Sequence, residues 1–137
     1  MVQQAYRAVD AAITRELRNR GFDVRATHSA VLANIDIATG TRATVLAERA
    51  AVSKQAIGEL VVDLEEKGYI ERVRDPADGR AKLIRLTKQG GLLIDAAYEV
   101  IQEIQLAMVK KVGTKKADAA AEALEALIEF CSRAERR

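Results

Sequence analysis

The residues best able to do chemistry in this chain are cations gathered around one turn. In the stretch RDPADGRAK, Arg74 to Lys82, the chain's only proline and an Asp-Gly step sit between two apolar runs. Between Arg72 and Lys88 there are six cations (Arg72, Arg74, Arg80, Lys82, Arg85, Lys88) against two carboxylates, Asp75 and Asp78. The whole chain carries only +2, so this is local clustering rather than a generally basic protein. Such a cluster suits contact with an extended anion. A second group lies just upstream at Ser53, Lys54 and Gln55. Lysine can reach a phosphate or a guanine edge, and glutamine can pair with adenine through two hydrogen bonds.

Covalent and metal chemistry are poorly supplied. A nucleophile–base arrangement needs a base, and the only histidine, His28, has no nucleophile signature beside it. No glycine-rich phosphate loop or paired-histidine metal motif occurs. One histidine and one cysteine do not make a zinc or copper site, so neither catalysis nor a cofactor is expected. Cys131 falls on an apolar stripe, which predicts buried packing. Its neighbours Arg133, Arg136 and Arg137 leave redox sensing as the alternative.

The elements that must position these residues are mostly helical. At 137 residues, with 49% apolar and 31% charged residues, the chain is one domain in size. No apolar run reaches the roughly eighteen residues of a membrane span, and the N-terminus lacks a signal-peptide pattern. The lone cysteine excludes an internal disulfide and suits a reducing cytoplasm.

Apolar spacing predicts helices over VQQAYRAVDAAITREL, over THSAVLANIDIATG with Thr27 as its cap and Gly40 as its stop, and over TRATVLAERA after Thr41. SKQAIGELVVDLEEKG reads as a further helix, capped by Ser53 and closed by Lys67 and Gly68, with Ile57, Leu60, Val61 and Leu64 buried. YIERVR and KLIRLT read as strands on either side of the turn. Two more helices follow, one with Leu93, Ala97, Val100, Ile104 and Met108 on one face, the other with Thr114 as its cap. The last carries Ala120, Leu124, Leu127, Ile128 and Cys131 on one stripe. The fold class expected is mainly α with a small β-hairpin. Terminal helices at 1–24 and 88–137 flank a lobe at 25–87, and their stripes either pack on each other or bury against a second copy.

Within LAERAAVSKQAIGEL, residues Ala47, Ala51, Val52, Ile57 and Leu60 have the spacing of a helix-turn-helix. Ala47 is small where the second helix must cross, and Val52 and Ile57 are expected to plug the corner. Ala51 stands at a turn position where glycine is frequent. The start of the second helix, Ser53 to Gln55, is then placed to enter a DNA major groove. A basic hairpin directly after it is a wing, with Arg80 at its tip able to reach a minor groove. Glu59, one turn along the same face, opposes phosphate unless it accepts from a base or meets a cation.

These residues resemble the MarR (multiple-antibiotic-resistance regulator) family. The resemblance is carried by Leu46 to Gly90, above all by DPADGRAKLIRLT, which is similar to the family's wing signature. It implies a homodimeric winged helix-turn-helix regulator, a repressor or an activator, on a pseudo-palindromic double-stranded DNA site. It also implies dimerisation through the terminal helices and a pocket for a small phenolic or anionic effector, to which Arg25 and His28 are the candidate contributors. The DNA-binding set is then Ser53, Lys54, Gln55, Arg74, Asp78, Arg80 and Lys82, with Asp78 supporting Arg80. Gly79 and Glu59 replace residues that are often arginine. Arg42 stands where threonine is common, so Thr41 is expected to cap one residue early. The alternatives from other classes are a winged helix used only for protein interaction or dimerisation, and a small enzyme or ligand carrier.

Overall fold

A computed structural model describes residues 1–134. The order is α1 (Val2–Asn19), a 3-10 turn (Ala26–His28), α2 (Ser29–Leu32), α3 (Ala43–Ala50), α4 (Lys54–Glu66), β1 (Ile70–Arg74), β2 (Lys82–Leu86), α5 (Lys88–Val112) and α6 (Thr114–Ala134). No helix is long and apolar enough to cross a membrane. The chain divides into one unit from Met1 to Val100 and a second from Ile101 onward.

The first unit holds a core of Leu17, Val24, Val31, Ile35, Leu46, Ile57, Val61, Leu64, Tyr69, Ile70, Ile84 and Leu93. The stripe expected on α4 is there, with Leu60 only partly buried. β1 and β2 pair antiparallel, Ile70 opposite Leu86 and Arg74 opposite Lys82. Thr41 adds an isolated bridge to Ile84, its N–H and C=O both bonded at 2.9 Å. At the start of α5, Gly90 is required by space. A Cβ there would lie 1.9 Å from the Tyr69 carbonyl oxygen.

The helix expected from Thr27 to Gly40 is far shorter. Arg25, not Thr27, stands at the N-cap of the 3-10 turn, and α2 ends at Leu32. Short polar side chains compete for the backbone downstream. The Asp36 carboxylate accepts the N–H groups of Ala38 and Thr39, at 3.0 and 3.2 Å. Thr41 Oγ1 accepts the Asp36 N–H at 2.8 Å, so Thr41 closes this loop and does not cap α3. Arg42 holds the N-cap position of α3 with no side-chain cap bond.

In the second unit, Gly113, at φ +84°, separates the end of α5 from α6. Thr114 is the first residue of α6 rather than its cap. The α6 stripe is exposed at Leu124, Leu127 and Ile128, and Cys131 is exposed too, against the expectation of burial. Arg136 and Arg137 lie outside the described residues.

Candidate nucleic-acid interface

The corner between α3 and α4 is built from small residues. Ala47 is buried at the crossing, and Ile57 is fully enclosed. Ala51 ends α3 in the left-handed region, φ 53° and ψ 41°. Its N–H donates to the Glu48 carbonyl at 3.2 Å, and the Val52 N–H donates to Ala47 at 3.1 Å. A non-glycine residue there costs about 1–2 kcal/mol, which the corner absorbs. Val52 does not plug the corner as expected, because it follows that left-handed residue outward and is 38% exposed.

Ser53 caps α4 as its sequence predicts, with Oγ accepting the Ala56 N–H at 3.1 Å. That fixes the first turn and leaves Lys54 and Gln55 exposed on it. Gln55 Nε2 donates to Glu59 Oε1 at 3.3 Å. Glu59 thus orients the glutamine amide, whose carbonyl oxygen and second N–H remain available.

The wing is organised by two carboxylates, each making a small loop with its own backbone. Asp75 Oδ1 accepts the Ala77 N–H at 2.9 Å, and Asp78 Oδ1 accepts the Arg80 N–H at 3.1 Å. Asp78 therefore supports Arg80 through its backbone, setting the direction from which the side chain leaves. Asp75 is 6% exposed, and the Ala77 N–H and then Arg42 hold its carboxyl below the usual carboxylate range. Asp75 counts in the sequence only as a negative charge. Its Asp-Pro context signals the turn, but nothing local signals Arg42.

The six cations of this segment do not act alike. Arg72 turns to Glu65 at 3.3 Å, and Arg85 stands opposite Glu71 across the ladder. Arg74, Arg80 and Lys82 are exposed, with no ion-pair partner among the described residues. Arg74 and Lys82 face each other directly in the register, a like-charge pair that is unfavourable unless an anion lies between or beside them.

His28 and Arg25, the effector candidates, part company. His28 is completely buried, with both ring nitrogens engaged by Arg25 N–H and Asp63. Burial holds its pKa below the ordinary value, against the opposing pull of Asp63. It is thus a structural residue and does not line the neighbouring groove. Arg25 does line that groove, of about 740 Å³, together with Tyr6, Asn34, Arg49, Val52 and Glu59. Sequence reasoning missed Arg49, whose Nη1 donates to the Asn34 carbonyl at 2.7 Å.

A helix-turn-helix followed by a basic two-stranded projection defines the winged helix-turn-helix class. Residues 22–81 match the MarR family. The chain is 41% identical over 51 residues to the uncharacterized HTH-type transcriptional regulator YdcH of Bacillus subtilis, covering 37% of this chain and 35% of that protein. It is 31% identical over 71 residues to the transcriptional regulator HosA of Escherichia coli, covering 52% of this chain and 53% of that one. The matches therefore span about a third and about half of those relatives' lengths. The crystal structure of the transcriptional regulator BldR from Sulfolobus solfataricus superposes with a TM-score of 0.71 at 26% identity, covering 96% of this chain and 90% of that one.

Proposed function

We propose that this protein is a cytoplasmic, sequence-specific DNA-binding regulator of transcription, a ligand-responsive repressor acting as a homodimer on a pseudo-palindromic site. The N-terminal turn of α4, with Ser53, Lys54 and Gln55, enters the major groove. The wing, with Arg74, Arg80, Lys82 and the supporting Asp78, lies alongside. The observation that carries this reading is the facing pair Arg74 and Lys82, exposed and without a carboxylate partner among the described residues. A sheet end built of opposed cations is best explained by a polyanion that lies against it.

Dimerisation is supported by the apolar surface of the terminal helices. Val2, Tyr6 and Val9 of α1 and Leu124, Leu127, Ile128 and Phe130 of α6 are at least 40% exposed. An amphipathic helix with an uncovered stripe needs a partner surface. For the effector, the groove lined by Arg25 and Arg49 has an apolar floor of Ala30, Ala50 and Leu60 and suits a small phenolic or anionic molecule.

The test is selection of bound duplexes from a random pool, followed by titration at low and moderate salt. Recovery of an inverted repeat with half-sites about one helical turn apart supports the reading. The same uncovered stripe on α6 favours the second reading, a winged helix used only for protein interaction. That reading wins if no duplex is enriched and binding to DNA shows no salt dependence.

A further inference from the structure

Arg42 holds the N-cap position of α3 in an extended conformation, φ −68° and ψ 144°, yet supplies no cap. Its guanidinium instead crosses to the tip end of the wing's ladder. Nη2 lies 2.5 Å and Nε 2.7 Å from the same Asp75 oxygen, Oδ2. The other oxygen of Asp75 is taken by the Ala77 N–H. Nη2 also lies 3.8 Å from Asp78 Oδ2, so one cation stands near both carboxylates of the wing. The preceding residue, Thr41, is bonded through its backbone to Ile84 of β2.

The strands β1 and β2 already hold each other through their ladder, and the two aspartate turns are internal to the hairpin. What Arg42 adds is different. It ties the tip end of the ladder, at Asp75, to the residue where α3 begins. Because α3 packs on α4, that tie relates the wing to the helix proposed to enter the major groove. The carboxylate is nearly enclosed, while the Arg42 side chain that reaches it is 41% exposed.

We infer that Arg42 is a positioning residue for the wing, holding Asp75 so that Arg80 meets DNA in register with the first turn of α4. The inference rests on the DNA-binding reading above. Arg42 touches no DNA in this scheme and acts through Arg80.

The experiment uses the full-length protein and a duplex selected by the wild type. Affinities are measured for Arg42→Ala, Arg42→Lys, Asp75→Asn, Arg80→Ala and the double variant of Arg42→Ala with Arg80→Ala, with a hydroxyl-radical footprint of each. Arg42→Ala and Asp75→Asn are each expected to lose about ten-fold in affinity, as Arg80→Ala does. Adding Arg80→Ala to Arg42→Ala should cost less than about three-fold more, because the two act through one contact. Arg42→Lys, a point charge without the fork, should restore only part of the loss. Footprints of Arg42→Ala should lose protection at the flanks contacted by the wing and keep it at the centre of each half-site.

Additive losses, or uniform loss of protection with a lowered thermal midpoint, would make Arg42 a residue of the fold only and overturn the inference. Should Arg42→Ala not fold, Asp75→Asn, which keeps an oxygen for the Ala77 N–H, carries the same comparison with Arg80→Ala. A duplex bound equally by wild type and Arg42→Ala removes this inference alone. Failure to enrich any duplex removes the DNA-binding reading as well.

Discussion

His28 Nε2 lies 2.6 Å from Asp63 Oδ2, while His28 Nδ1 accepts the Arg25 N–H at 3.1 Å. The second bond decides the tautomer. Nδ1 carries no proton, so the hydrogen is on Nε2 and is donated to the Asp63 carboxylate. A second proton on the ring would set Nδ1–H against the Arg25 N–H inside the core. The Asp63 bond ties the 3-10 turn to the last turn of α4, and the Arg25 N–H bond to Nδ1 holds only while the imidazole is neutral.

A pH dependence of stability follows. Burial holds the folded pKa of His28 below its ordinary 6.5, whereas the unfolded chain titrates at that value. Below 6.5 the unfolded state binds more protons than the folded state, so its population is favoured. Stability is complete above that pH and falls as the pH drops toward the folded pKa. Asp63, held below the usual carboxylate range first by the Arg25 hydrogen bond, adds a further loss at lower pH in the same direction. Urea midpoints measured from about pH 8 to pH 5 should fall for wild type and stay nearly flat for His28→Gln over that window. Parallel slopes in the two proteins would assign the effect to other groups.

Ala51→Gly should stabilise the protein. Relief of the left-handed conformation, φ 53°, is worth about 1–2 kcal/mol, and the greater freedom of glycine in the unfolded chain takes back about 0.4–1 kcal/mol. A net gain of roughly 0.5–1 kcal/mol is expected. Chemical denaturation checks it, and a loss on substitution would mean that the Ala51 methyl packs in the corner.

Gly90→Ala tests the close approach of α5 to Tyr69, the residue just before β1. Helix propensity alone favours alanine by about 1 kcal/mol. The added Cβ would stand 1.9 Å from the Tyr69 carbonyl oxygen, which is backbone and itself accepts the Thr87 N–H. The steric effect wins, with an expected loss of about 2–3 kcal/mol in unfolding free energy. An unchanged midpoint in the urea titration would refute that contact.

What could be read in the sequence was whatever one short segment decides. Ser53 caps α4 because cap, helix and stripe lie within one run of residues. The wing turn is local for the same reason, since Asp75 and Asp78 bond to backbone two residues on. Local signals also misled. The stretch from Thr27 to Gly40 was read as one helix, but Asp36 draws the backbone into a loop and Ile37 is left 56% exposed. The links between Arg42 and Asp75 and between His28 and Asp63 span 33 and 35 residues, and no spacing rule reaches them. The stripe on α6 was legible as a stripe, but its exposure at Leu124, Leu127 and Ile128 was not.

Two cations of the interface should separate by how they fail. Arg80 sits at the wing tip with its backbone fixed by Asp78 and its side chain exposed. If it reads a minor groove, Arg80→Ala should weaken binding to the selected duplex by roughly 1–3 kcal/mol and relax preference for the bases flanking each half-site. Lys54, on the exposed first turn of α4, has no partner among the described residues and is placed for a phosphate. Lys54→Ala should weaken binding to all duplexes alike and lower the slope of log affinity against log salt by about one. Gel-shift titrations at several salt concentrations, on selected and scrambled duplexes, give both quantities. Equal loss on both duplexes for Arg80→Ala would make it a phosphate contact, and sequence-dependent loss for Lys54→Ala would make that lysine a base reader.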